Sequence, residues 1–142
     1  MVLFLGSCST LPKTPDNLVQ NIEDYRGQTL RVRGTVSQSV TIPATELSVF
    51  RLEGNQEGIL VLSPVSRPNG TQATITARVY LLADNQSGQG AISGVQDFAQ
   101  MLKDRDILHG SFVDATARVI IEAIRLAARA GQQIYFLVET ND

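Results

Sequence analysis

The chain has 142 residues, 43% hydrophobic and 18% charged. That fits one globular domain of the usual ~100–200 residues and excludes a disordered polyelectrolyte. Twelve Lys and Arg against fourteen Asp and Glu leave a net charge of −2, so no bulk positive field gathers nucleic acid or anionic lipid. One cysteine excludes an internal disulfide framework and a cysteine-based zinc cluster, and one histidine excludes sites built on paired imidazoles.

The first segment opens with five large apolar residues, Met1 to Leu5, followed by Gly6, Ser7 and Cys8. It resembles the tail of a bacterial lipoprotein signal, with Leu5, Gly6, Ser7 and Cys8 in the lipobox positions. The resemblance implies lipidation at Cys8 and an envelope location, facing the periplasm or exterior. Ser9 to Asn17 is rich in Ser, Thr, Pro and polar residues, as a tether is. The competing reading makes Val2–Leu5 a short buried strand and Cys8 a small core residue, in a cytoplasmic protein. On the first reading, residues 1–16 are a truncated signal and tether and 17–142 form the domain. No stretch approaches ~18 consecutive apolar residues, so no span of the bilayer is expected.

Apolar residues at 18, 19, 22 and 25 predict a short amphipathic helix over Asn17–Tyr25, stopped by Gly27 in a left-handed cap. From Thr29 the period changes to two. Leu30, Val32 and Val36 alternate with Arg31, Arg33, Thr35 and Ser37, which predicts a half-buried strand, and Gly34 marks a bulge or barrel corner within it. Ser48–Leu52, Gly58–Leu62 and Thr71–Leu82 follow as strands, separated by Gly-, Asn- and Pro-containing turns. Short strands at this spacing predict a barrel or sandwich, and closure removes the open edges.

The run Tyr25-x-Gly27-x-x-Leu30-x-Val32-x-Gly34-x-Val36, a second strand ending at Glu53-Gly54 and the apolar third strand Gly58–Leu62 resemble the OB-fold domains of exported bacterial proteins. The resemblance spans Ile22 to Leu82. It implies a small, mainly β, five-stranded OB-like barrel with added helices (α+β) and carries no activity with it. The β-rich segment Gln133–Glu139 is the candidate fifth strand, which makes residues 83–132 a helical insertion before it.

Within that insertion, Ser93–Lys103 places Val95, Phe98, Ala99 and Leu102 on one helical face. A second helix is predicted over Ala115–Ala130. Its Asp114, Arg118, Glu122, Arg125 and Arg129 fall within an arc of ~80°, leaving an apolar arc wider than one packing surface needs. Two readings follow. The helix is sandwiched between barrel and first helix, or one flank, among Ile120, Ile121 and Ile124, binds a second copy or a protein partner.

Catalytic signals are sparse. His109 has no Gly-x-Ser-x-Gly elbow in the chain to serve, and Gly88-x-Gly90-x-x-Ser93 lacks the context of a dinucleotide loop. Glu46, Glu53 and Glu57 read as solvated turn charges. No metal-ligand spacing or cofactor motif is present, so no cofactor is expected. Arg31, Arg33, Arg51 and Arg78 are the candidate ligand-facing strand residues, for nucleic acid or another anion. Single-strand binders also need stacking aromatics, and Phe50 and Tyr80 are the only nearby ones in a chain without Trp, so nucleic acid is disfavoured. The sequence reading is thus a lipid-anchored, non-enzymatic binding or scaffold module of the envelope. Its alternatives are a single-strand-binding OB protein and an envelope enzyme.

Overall fold

A computed structural model describes residues 11–42, 47–82, 91–92, 95–104, 113–127 and 134–140. The predicted N-terminal helix is two short ones, α1 (Pro15–Gln20) and α2 (Ile22–Tyr25). Thr14 caps α1 by accepting the Asn17 N–H at 3.2 Å, and Pro15 sits where a missing N–H costs nothing. The break falls at Asn21, whose φ of −126° and ψ of 33° leave the helical region. Gly27 then takes the predicted left-handed conformation, φ 80°, and its N–H donates to Val79 O.

Five strands close a barrel: β1 (Thr29–Thr41), β2 (Ser48–Glu53), β3 (Gly58–Ser63), β4 (Gln72–Leu82) and β6 (Ile134–Glu139). They pair in the cycle β1-β2-β3-β6-β4-β1, with β3 and β6 parallel and every other pair antiparallel. A two-residue β5 (Ala91–Ile92) adds to the end of β4. This is the expected OB-like barrel, and the C-terminal strand closes it.

Strand β1 makes closure possible because it serves two neighbours. Thr29–Thr35 pairs with β4, and Thr35–Thr41 pairs with β2. The hand-over lies beside Gly34, the predicted corner, where a Cβ would meet Glu53 O at 2.8 Å and the Leu52 side chain at 2.9 Å. Only glycine lets β1 and β2 approach so closely. A register shift between Ser37 and Val40, with Gln38 at φ 52°, bends the strand further on.

Alternation sorts the side chains into two cores. Val32, Val36, Phe50, Leu52, Ile59, Val61, Ile75, Ala77, Val79 and Leu137 fill the barrel, with Leu18 of α1 joining them. The opposite parity gives Val49, Leu62, Tyr80, Leu82, Phe136 and Val138 on the outside, beneath α3 (Val95–Asp104) and α4 (Val113–Ala127). Phe98 of α3 stacks on Phe136 at 5.7 Å, and Phe136 stacks on Tyr80 at 5.9 Å. These offset rings pin the helical insertion to β6 and β4.

Residues 13 to 16, assigned to the tether by sequence, belong to the folded unit. Lys13 pairs with Val32, its N–H donating to Arg31 O and its carbonyl accepting from Arg33 N–H, both at 2.8 Å, so it covers the edge of β1 that β2 does not reach. Asp16 accepts the backbone N–H groups of Asn55 (2.8 Å), Gln56 (3.0 Å) and Glu57 (2.6 Å) and so ties α1 to the β2–β3 turn. Those three donors hold its carboxyl below the ordinary aspartate value. A lowered folded value means the stabilisation is complete above the unfolded value of about 3.9 and is lost as pH falls through the folded one. Asp16→Asn should lower the urea midpoint at neutral pH and flatten its dependence on pH below about 4. Equal midpoints at neutral pH would refute the tie.

Candidate anion-binding face

The register of β1 on β4 brings three of the four predicted arginines onto one outer surface. Thr29 lies opposite Arg78, Arg31 opposite Thr76, Arg33 opposite Thr74, and Thr35 opposite Gln72. All eight share the parity that points away from the barrel core. Arg31 and Arg33, two residues apart on a strand, stand about 7 Å from one another. Arg78 is diagonal to Arg31, at the ~7–8 Å of such neighbours. Neither β1 nor β4 contains an Asp or Glu. The net charge of −2 therefore hides a patch of three cations and four threonines on these two strands, with Glu53 of β2 opposite Thr35 at its edge.

The guanidinium groups are held differently. Arg33 donates from Nη2 to Gln72 Oε1 at 2.8 Å, a neutral partner that orients the group without cancelling its charge. Arg78 lies with Cζ 6.0 Å from the Tyr80 ring centre, and its buried Nε has no hydrogen-bond partner. Arg31 and Arg33 are exposed and Arg78 is half-buried. The fourth arginine, Arg51, stands apart on β2. Its side chain lies across Gly58, and its Nε is 3.9 Å from Glu53 Oε1, so its charge has a local counter-ion.

A second polar cluster, missed by the sequence reading, sits at the mouth of the barrel. Ser48, Ser63 and Glu139 have inward parity at the ends of β2, β3 and β6. Arg67, from the β3–β4 connection, grips Glu139 with both arms, Nη1 to Oε1 at 2.6 Å and Nη2 to Oε2 at 2.9 Å. Ser63 Oγ donates to Glu139 Oε1 at 2.6 Å and accepts the Val65 N–H at 2.9 Å, while Ser48 Oγ donates to Val65 O at 3.1 Å. The hydrogen bonds that Arg67 donates to Glu139 push the guanidinium value upward, so it stays charged at any working pH. Each group here is occupied by another, so the cluster fastens the mouth. The signal for it was strand parity: residues 59, 61 and 63 share a side, as do 135, 137 and 139.

OB barrels that read oligonucleotides use the outer face of strands 2 and 3 with the neighbouring loops. In this chain Val49, Leu60 and Leu62 of that face pack with the core under α3 and α4. Phe50 is inside the barrel and Tyr80 lies under the insertion, so neither aromatic is presented to a base. The arginine face thus offers charge and hydroxyls without a stacking platform.

The remaining candidates divide between core and undescribed positions. Ile120 and Ile121, 0% and 2% exposed, both belong to the core between barrel and helices, so neither forms an open flank of α4. The reason is ordinary helical spacing: Val113, Ala117, Ile120 and Ile121 fall on one buried side, and the excess apolar residue is Val119, 51% exposed. The side chain of Ile124 lies outside the described residues, as do Cys8, His109 and Glu46. Among the described residues, no three His, Cys, Asp or Glu side chains are grouped to hold a metal ion. No described helix is long and apolar enough to cross a membrane. Comparison with known protein families, with characterised proteins and with solved structures finds no match for this chain.

Proposed function

We propose that this chain is a non-enzymatic binding module of the bacterial cell envelope, anchored through a lipid on Cys8 and engaging an anionic ligand through Arg31, Arg33 and Arg78. The observation that carries the proposal is the carboxylate-free face of β1 and β4, where the register gathers three arginines on a protein of net negative charge. The packed barrel interior agrees with a module that works through its surface. Arginines aligned with threonine hydroxyls suit oxyanions, which accept charge-assisted hydrogen bonds from several donors at once.

The anchor is tested on protein expressed from its own chromosomal locus. Wild type should fractionate with membranes and carry an acylated Cys8 by mass spectrometry. Cys8→Ala should move to the soluble fraction with an unchanged melting temperature, because several acyl chains hold a protein to a bilayer where none does not. Wild-type protein that is wholly soluble, with an unmodified Cys8, would overturn the anchored reading.

A further inference from the structure

We infer that the ligand of the arginine face is the anionic headgroup layer of the membrane that holds Cys8, so that the barrel docks on the bilayer through β1 and β4. This rests on the lipid-anchor reading and names the partner of the same face. The argument starts from where the chain joins the barrel. Lys13 is stitched to β1 between Arg31 and Arg33, by hydrogen bonds of 2.8 Å to the backbone of each. Cys8 precedes Lys13 by five residues, a span of about 18 Å at full stretch. An acyl group on Cys8 therefore keeps the backbone of both arginines within about two Debye lengths of the surface at physiological salt. A tether this short gives the face a high effective concentration at the membrane.

Charge then selects the orientation. The face carries Arg31, Arg33 and Arg78 with no carboxylate on either strand. Among the described residues, Glu53 of β2 lies opposite Thr35 with Arg51 Nε 3.9 Å away, Asp16 is committed to three backbone N–H groups, and Glu23 and Asp24 of α2, at the helical end, are exposed. A negative surface attracts the three arginines and repels Glu23 and Asp24, which turns β1 and β4 toward the lipid. Leu11, beside the tether and 69% exposed, adds an apolar contact at the same point. The helical insertion, packed over β3, β6 and the end of β4, is left on the distal side. The acyl chains and the basic patch act on the same bilayer, and the patch is built by strand register where composition shows none.

The test has two arms. In the first, full-length Cys8→Ala protein, which has no anchor, is co-sedimented with vesicles of phosphatidylcholine alone or of equal parts phosphatidylcholine and phosphatidylglycerol. Binding is expected only to the anionic vesicles, weakening as salt is raised. Arg31→Gln and Arg33→Gln should each reduce partitioning about fivefold, and the triple variant with Arg78→Gln about a hundredfold. The single variants and the salt titration keep the test decisive if the triple variant fails to fold. In the second arm, acylated protein carries a fluorophore at Thr76→Cys on the face or at Gln96→Cys on α3. Headgroup-linked quenchers should dim the first and spare the second.

Equal quenching at both positions, or partitioning indifferent to vesicle charge and to the arginines, would overturn docking while acylated Cys8 kept the anchor reading intact. Arginine-dependent vesicle binding with an unmodified Cys8 would support the face and refute the anchor. Tighter arginine-dependent binding to tripolyphosphate or a single-stranded oligonucleotide than to anionic vesicles would overturn docking and assign the face to a soluble polyanion.

Discussion

Arg67→Ala should cost this small barrel about 3–5 kcal/mol, far above the typical single substitution. The side chains of Arg67 and Glu139 are only 19% and 11% exposed, and they meet in a two-armed, charge-assisted pair. Removing the guanidinium leaves the Glu139 carboxylate at the barrel mouth with Ser63 as its remaining partner. It also uncovers Phe50, whose ring lies 5.9 Å beneath Arg67 Cζ. Glu139→Ala strands the opposite charge and should cost a similar amount. The pair itself is a weaker stabiliser than these numbers suggest, because the penalty measures an abandoned charge as well as a lost bond. The double variant Arg67→Met, Glu139→Leu should therefore recover most of the loss. Urea midpoints of the four proteins decide the matter. A loss under about 1 kcal/mol for Arg67→Ala would mean that water already solvates the mouth.

That latch marks where reading the sequence stops. The strands of the barrel were legible because one face of each is buried in a closed interior, which enforces strict alternation: Val32 and Val36, Phe50 and Leu52, Ile59 and Val61 all point inward. The corner at Gly34 was legible because nothing larger fits between β1 and β2. The arginine face was half legible. Parity placed Arg31 and Arg33 on one side of β1, but joining them to Arg78, and separating Arg51, required the register of β1 on β4, which is long-range information. Arg67 and Glu139 are 72 residues apart, and no local pattern links a loop arginine to the last residue of the closing strand. The division of one predicted helix into α1 and α2 was hidden because Leu18, Ile22 and Tyr25 keep helical spacing across the break at Asn21.

Ile120→Asp and Ile121→Asp should each unfold the association of helices and barrel, whereas Val119→Asp, one residue away, should be nearly silent. The two isoleucines belong to the core that also holds Phe98, Leu102 and Phe136. Deleting either side chain alone would cost about 2–5 kcal/mol through lost burial and the cavity left behind. Aspartate adds a carboxylate without a partner in an apolar layer, so the sum reaches at least about 5 kcal/mol, comparable with the whole stability of many domains. The damage will not stay in the insertion, because α3 and α4 stand between β4 and the closing strand β6 in the chain. Lifting them exposes Phe136, Val138 and Tyr80 on the barrel wall. Circular dichroism should lose helix and strand signal together, in one transition shifted to low urea. Val119 is half in water already, so its aspartate variant should stay within about 0.5 kcal/mol of wild type. Sedimentation of the same proteins reads the other use of this helix. A dimer in wild type that Val119→Asp converts to a folded monomer would make α4 an interface, centred on Val119 rather than on the isoleucines. A monomer in both leaves α4 as the cover of the barrel wall. If Ile120→Asp melts with wild type, the insertion is not packed on β6, and the stack of Phe98 on Phe136 goes with it.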